Sequence, residues 1–472
     1  MQTKKRVVFY LVDGARPDIL QKLLDQKQLP NLAQIIAEGT FRTATSCLPS
    51  TTGPAYLPFL TGHFPGTMNI TGIRWFDKKE FKRSRLNKLA MRSYCGPEAA
   101  FFNSDMREEK GTLFEKIDKA YNVYNMVTRG LKRPNDLTPK GKGLLYTRAH
   151  FFLRHHPVDT KGHEAIMSFL NRGEDFEFLF AVFPSVDWDS HYHHFDDDRT
   201  VEAYKIADDS IGEVRRSLEK KGWWKDTLFL LTSDHGLSTT HTHFDVGDWM
   251  TKHDLRSVSY PVIWRRAPKS AVMISGNSFG SVHLLNHEGD HVLHKKEVQA
   301  CLGRERLAAF VAEKAVEFMA YRADDPNSFV IQNRSDAALV RKEGDRYRYH
   351  PETGDPLRLG GAIEVTGRRA ALEATFGTDF PDALVQVAQL FQSRRAGDFI
   401  VCAKNGFDLR DFWEYPEHKG SHGSLDKEHM LVPLVFNQKL QAVHPARTAD
   451  LYATILHWLG QAVPPSEGTT LL

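Results

Sequence analysis

Three adjacent hydroxyl side chains, Ser50, Thr51 and Thr52, stand between Pro49 and Pro54 in "PSTTGPAYLPFLTGHFPG". Such a turn needs no function, because short hydroxyl side chains satisfy nearby backbone groups by themselves. Elsewhere, carboxylates and imidazoles recur in a pattern. Asp13 closes "VVFYLVD", Asp187 and His191 lie four apart in "SVDWDSH", Asp234 and His235 close "LFLLTSDH", and His422 stands in the glycine-flanked "GSHG". Taken singly, each is compatible with a turn, a helix cap or a solvated loop. Together they form a mixed carboxylate and imidazole set that suits zinc, or manganese or iron, and six donors are enough for two divalent ions. Two such ions would give the hydroxyl turn a use. One acidifies a hydroxyl beside it, and the other, about 4 Å away, stabilises the oxygens of an in-line displacement at phosphorus.

Positioning these groups is a task for strand ends. Continuous apolar runs at 7–12, "LFAVFP" and "TLFLLT" each terminate in the polar residues named above, with helix-like stretches between them. One of these is the amphipathic segment of about 199–221. Apolar strands alternating with helices predict an α/β fold with a mostly parallel sheet covered by helices on both faces. Function then gathers at the carboxyl ends of the strands. Beyond about residue 270 the texture shifts to short strand-turn units and a helix-like "RLAAFVAEKAVEFMAYR". This predicts an inserted α+β subdomain over 271–396 between core segments 1–270 and 397–472, overhanging the cleft as a cap. "GDFIVCAKNG" and "MLVPLVFN" are expected to return to the core sheet.

Composition excludes several classes. The chain has 472 residues and a formal net charge of +3, which leaves no electrostatic footprint for nucleic acid or an anionic membrane. Its longest apolar runs fall short of the roughly 18 residues needed to cross a bilayer. The four cysteines, Cys47, Cys95, Cys301 and Cys402, are widely separated and form no CxxC pair, so a cytoplasmic location is expected.

These motifs resemble the alkaline phosphatase superfamily, in particular its type I phosphodiesterase and nucleotide pyrophosphatase branch. "VVFYLVDGARPD", "LPSTTGPAY", "LTGHFPG", "PSVDWDSH", "LTSDHG", "GSHG" and the final "TADLYATILHWLG" occur in that family's order. The resemblance implies an alkaline-phosphatase-like three-layer sandwich and hydrolysis of a small-molecule phosphate ester. It implies that Thr52 is the nucleophile, with Thr51 and Ser50 as alternatives, and that a covalent phospho-enzyme intermediate forms. It also implies one metal held by Asp187, His191 and His422 and a second by Asp13, Thr52, Asp234 and His235. The chain departs from the family at two points. "PSVDWDSH" shifts the aspartate away from its usual place after proline, so Asp189 is a fallback ligand. Ala55 stands where nucleotide pyrophosphatases commonly carry an asparagine donor; Asn69 and Arg74 are the candidate replacements, and a phosphomonoesterase or phosphonate hydrolase becomes the alternative activity. His193, His194 and the acidic run 196–198 are expected to form a solvated loop. Tyr56, Trp75 and Phe76 are expected in the core or as a stacking surface.

Overall fold

The computed structural model describes residues 4–84, 90–410, 417–441 and 444–472. The strand Arg6–Val12 is buried along its whole length and runs between Phe178–Phe183 and Thr227–Thr232, parallel to both. Seven strands make this sheet, in the order Ala446–Arg447, Thr40–Thr45, Leu431–Phe436, Thr227–Thr232, Arg6–Val12, Phe178–Phe183, Ala120–Val123. Only Leu431–Phe436 is antiparallel to its neighbours, so the sheet is mostly parallel, as expected.

Alternation along a strand sends consecutive side chains to opposite faces. Phe9 meets Phe59 of the helix Leu57–Thr61 on one face, with ring centroids 5.2 Å apart. On the other face the Tyr10 hydroxyl reaches Ser210 of the helix Asp198–Lys220 at 2.9 Å. Helices therefore cover both faces, and each fully buried aromatic of the central strand contributes on the order of 2–3 kcal/mol. The chain thus has a layered α/β architecture, a mostly parallel sheet between two layers of helices.

A second sheet of nine strands carries the later part of the chain. Two expectations about it are corrected. Phe399–Ala403, expected in the core sheet, pairs with Phe279–Leu284 on one side and Val316–Arg322 on the other, in the middle of the second sheet. The helix-like "RLAAFVAEKAVEFMAYR" is a helix only over Arg304–Val311, and its second half is the strand Val316–Arg322. That strand alternates its buried side chains between two hydrophobic clusters, Phe318 and Ala320 in one and Met319 and Tyr321 in the other, which gives a two-sided apolar run no helical face to present.

Candidate active site

Asp13 follows the strand Arg6–Val12 at its carboxyl end, Asp187 follows Phe178–Phe183, and Asp234 follows Thr227–Thr232. Parallel register brings these three strand ends side by side. Asp187 and His191 sit four apart on the helix Ser185–Tyr192, so both face one way, with His191 Nε2 3.4 Å from Asp187 Oδ1. His422 enters from the other end of the chain, its Nε2 3.9 Å from the same oxygen. His235 Nε2 lies 3.5 Å from Asp13 Oδ1 and 3.3 Å from Asp234 Oδ2, and its ring stacks on His422 at 3.6 Å.

The hydrogen bonds behind the imidazoles decide what they present to this centre. Nδ1 of His191 lies 2.8 Å from the Gly420 carbonyl, that of His235 2.9 Å from the Gly236 carbonyl, and that of His422 2.9 Å from the Ser50 carbonyl. A carbonyl oxygen only accepts, so each Nδ1 carries the proton and each Nε2 turns a lone pair inward. Those lone pairs face carboxylate oxygens, and Asp187 Oδ1 and Asp234 Oδ2 are buried without a hydrogen-bond partner. Acceptors aimed at acceptors in a buried cluster call for cations between them. The donor set fits divalent metal. Asp187, His191 and His422 converge as one group and Asp13, Asp187 and His235 as another, so Asp187 stands at the junction of both.

Electrostatics agree with this geometry. Burial raises the Asp13 carboxyl well above the ordinary carboxylate range, and the neighbouring Asp234 and Asp187 charges raise it further. Asp234 is likewise raised by burial, against the pull of His235. For Asp187 burial acts upward too, but His191, with His422 and His235, outweighs it and holds the group low. Burial, then the nearby His235, depresses His422 far below the usual imidazole value.

Of the three hydroxyls, Thr52 alone is hydrogen-bonded into this cluster. Its Oγ1 lies 3.4 Å from Asp13 Oδ1 and 3.2 Å from His235 Nε2. Ser50 Oγ donates to the Ser424 carbonyl at 2.7 Å, and Thr51 is buried beside it. Asp189, the fallback ligand, is engaged elsewhere. His155 and His156 approach its two oxygens at 2.8 and 3.0 Å, and although burial acts upward they hold its carboxyl down to about 2.

A cavity of about 420 Å³ opens over the cluster and is lined by Asp13, Thr51, Thr52, Asp187, His191 and His422 among others. Two stretches of the chain contribute to its wall. Ile274, Gly276 and Asn277 are the lining residues from 271–396, whereas nine, from Ile73 and Arg74 to Tyr146 and His150, come from residues 73–150. Arg74 therefore lines the site, but Asn69 does not. Asn69 ends the helix Pro65–Met68 in the left-handed region, and its side-chain oxygen accepts from Ser393 Oγ at 2.7 Å. Ala55 is fully buried in a hydrophobic cluster and supplies no donor. Trp75 and Phe76 are core, with the Trp75 indole donating to the Tyr94 hydroxyl.

Several lining residues carry no signal in the sequence: Lys142, Tyr146, Asn277 and His418. Tyr56 stands out in the sequence only as an aromatic ring, yet its hydroxyl donates to Asp13 Oδ2 at 2.9 Å and fixes that carboxylate. Its place at the end of the short helix Pro54–Tyr56, directly after the hydroxyl turn, is the signal that could have found it. In the loop after the Asp187 helix, His194 bonds Thr239 and Asp196, and Asp197 caps the helix Asp198–Lys220.

No curated protein matches the chain significantly. Solved structures do. Phosphonoacetate hydrolase from Sinorhizobium meliloti 1021, in complex with phosphonoformate, aligns with TM-score 0.57 at 15% identity over 98% of this chain and 96% of its own. Human ectonucleotide pyrophosphatase/phosphodiesterase 5 aligns with TM-score 0.59 at 13% identity over 98% and 97%. The murine form of the latter, inactive and in complex with AMP, gives 0.58 at 13% over 99% and 98%. At such identities the likeness is one of fold. The sequence model that matches residues 7–425 goes further, spanning the strand-end aspartates, the hydroxyl turn and His422: the chain belongs to the type I phosphodiesterase/nucleotide pyrophosphatase family.

Proposed function

We propose that this phosphoric ester hydrolase works as a phosphodiesterase or nucleotide pyrophosphatase with two divalent ions, zinc in preference to manganese or iron, and Thr52 as nucleophile. The observation that carries the reading is the placement of Thr52 Oγ1 between Asp13 and His235, at the edge of a buried donor set whose inward atoms are all acceptors. Asp187, His191 and His422 would hold one ion, and Asp13, Asp234 and His235, with Thr52, the other. Ions there would supply positive charge against phosphoryl oxygens and acidify a hydroxyl beside them.

The chain's own residues do the rest. Tyr56 holds Asp13 in place, and Asp13 Oδ1 orients the Thr52 hydroxyl. Thr52 Oγ1 releases its proton to water and forms a bond to phosphorus as the bond to the leaving oxygen breaks on the opposite side, and that oxygen takes a proton back from water. A second water then cleaves the phosphothreonine ester, releasing the phosphoryl product and restoring the hydroxyl. All four cysteines are unpaired, which supports a reducing, cytoplasmic compartment.

A second reading, phosphonate hydrolysis, is favoured by Lys142. This residue lines the cavity, and burial lowers its pKa from the usual lysine value, a shift that an anionic group bound beside it would reverse. A phosphonoacetate-like substrate carries such a group beyond its phosphorus. Zinc-loaded protein assayed on bis-p-nitrophenyl phosphate, p-nitrophenyl nucleotide esters, p-nitrophenyl phosphate and phosphonoacetate ranks the two readings. Thr52→Ala should abolish turnover while Thr52→Ser retains much of it; full activity of Thr52→Ala would refute the covalent route. Lys142→Met should raise KM for phosphonoacetate only if that substrate is used.

A further inference from the structure

The helix Lys142–Phe152 carries apolar side chains on its solvent side. Successive helical residues turn by about 100°. Lys142, Tyr146 and His150 therefore share one face, and all three line the cavity. Leu144, Arg148 and Phe151 fall on the opposite face, with Phe152 at its edge. Leu144 is 67% exposed, Phe151 79% and Phe152 61%. The two phenylalanine rings pack on each other at 5.1 Å rather than in the core. Isolated exposed hydrophobics are ordinary, but three gathered on the outer side of one helix form a patch that needs a partner.

Charge selects the partner. Residues 129–154 hold seven Lys and Arg against the single acid Asp136, a net +6, whereas the whole chain is net +3, so the remainder is net −3. The near-neutral total conceals a basic segment. Arg129 and Lys132 are paired with Glu115 and Asp118. Lys140 just before the helix, Arg148 on it and Arg154 just after it are exposed, and none forms an ion pair among the described residues. Apolar side chains ringed by such cations match an anionic lipid interface. A second copy would instead set one basic segment against another.

We propose that this face docks on an anionic phospholipid bilayer, with Leu144, Phe151 and Phe152 at the acyl boundary and Lys140, Arg148 and Arg154 among the headgroup phosphates. The helix then lies in the membrane plane, and its opposite face places the cavity about one helix diameter, roughly 10–12 Å, from the lipid surface.

Co-sedimentation of the full-length protein with vesicles of phosphatidylcholine, alone or mixed with phosphatidylglycerol, tests this. Binding to the mixed vesicles should be at least about tenfold stronger and should weaken as salt shortens the Debye length below about 8 Å. The triple variant Leu144→Ser/Phe151→Ser/Phe152→Ser should lose about tenfold or more, and Arg148→Glu should lose binding to the mixed vesicles specifically. Both should keep the parent melting temperature and its rate on water-soluble bis-p-nitrophenyl phosphate. The proposal is overturned if the parent ignores both vesicle types or if the triple variant binds as the parent does. It is overturned equally if the parent is a dimer that the triple variant splits, which would make the face an interface between copies. Because vesicle binding requires no turnover, its outcome is independent of whether Thr52 is the nucleophile.

Discussion

Asp159 offers a quantitative test of how the buried polar groups around the cavity are held. It lies on the helix His156–Asn171, is 1% exposed, and neither of its carboxylate oxygens makes a hydrogen bond. Burial pushes its carboxyl up to about 8; Ser185 lies close enough to moderate the shift without closing a hydrogen bond. Between its ordinary value of 3.8 and about 8 the folded protein keeps this proton while the unfolded chain releases it. The folded state thus binds more protons across that window, and stability falls as pH rises through it. Four pH units at 1.36 kcal/mol each amount to about 5 kcal/mol by pH 8, against about 2 kcal/mol at pH 5. Asp159→Asn keeps the shape and removes the ionisation. In urea titrations followed by tryptophan fluorescence, in one metal state, the variant should gain on the parent by about 3–4 kcal/mol more at pH 8 than at pH 5. Titrations of groups that do not sense the Asp159 charge cancel in that comparison; His156, which Asp159 helps to raise, is the neighbour that does sense it. An equal difference between variant and parent at both pH values would show that Asp159 ionises normally in the folded protein.

Elemental analysis of unchelated protein should find about two equivalents of transition metal, and His422→Ala should retain about one, since Asp13, Asp234 and His235 are untouched. Tyr56→Phe removes the hydroxyl that donates to Asp13 Oδ2; metal retention against a chelator should fall about 10- to 100-fold with the melting temperature little changed. Ser50→Ala should cost about 1 kcal/mol of stability through its lost bond to the Ser424 carbonyl and leave turnover near that of the parent, a contrast with Thr52→Ala that checks the register of the turn.

The strand-end aspartates were legible because a continuous apolar run that stops at a carboxylate has the form of a buried strand reaching the sheet edge, and parallel pairing carries several such ends to one side. The spacing of Asp187 and His191 was legible for the same local reason, a single helical turn. What failed was long-range. Asn69 carries a suitable side chain, but a left-handed backbone and Ser393, more than three hundred residues away in sequence, fix it outside the cavity. Asn277 and Lys142 reach the site because the second sheet and the 142–152 helix fold over it, and no local periodicity announces that. That helix also defeats pattern reading outright, since its cavity face carries Lys142, Tyr146 and His150 while its solvent face carries Leu144, Phe151 and Phe152.

The Asp13-Gly14 pair shows how a local reading can be right in residue type and incomplete in cause. As a dipeptide it reads as a turn, and Gly14 does take a positive φ of 71°. A β-carbon there would also sit 2.8 Å from Asp187 Cα and Cβ, closer than any side chain tolerates. The glycine therefore lets the backbone after the first strand approach the ligand helix. Asp187 is the one carboxylate common to both donor groups, so the spacing between those groups rests on this contact. Gly276 does the same on the opposite side, where a β-carbon would meet His422 Nδ1 at 2.5 Å. The second sheet is thus seated against the imidazole whose Nδ1 proton goes to the Ser50 carbonyl, at the start of the hydroxyl turn. Ligand, glycine contact and hydroxyl turn form one connected structure, so hydroxyls that alone would be turn chemistry become parts of a site.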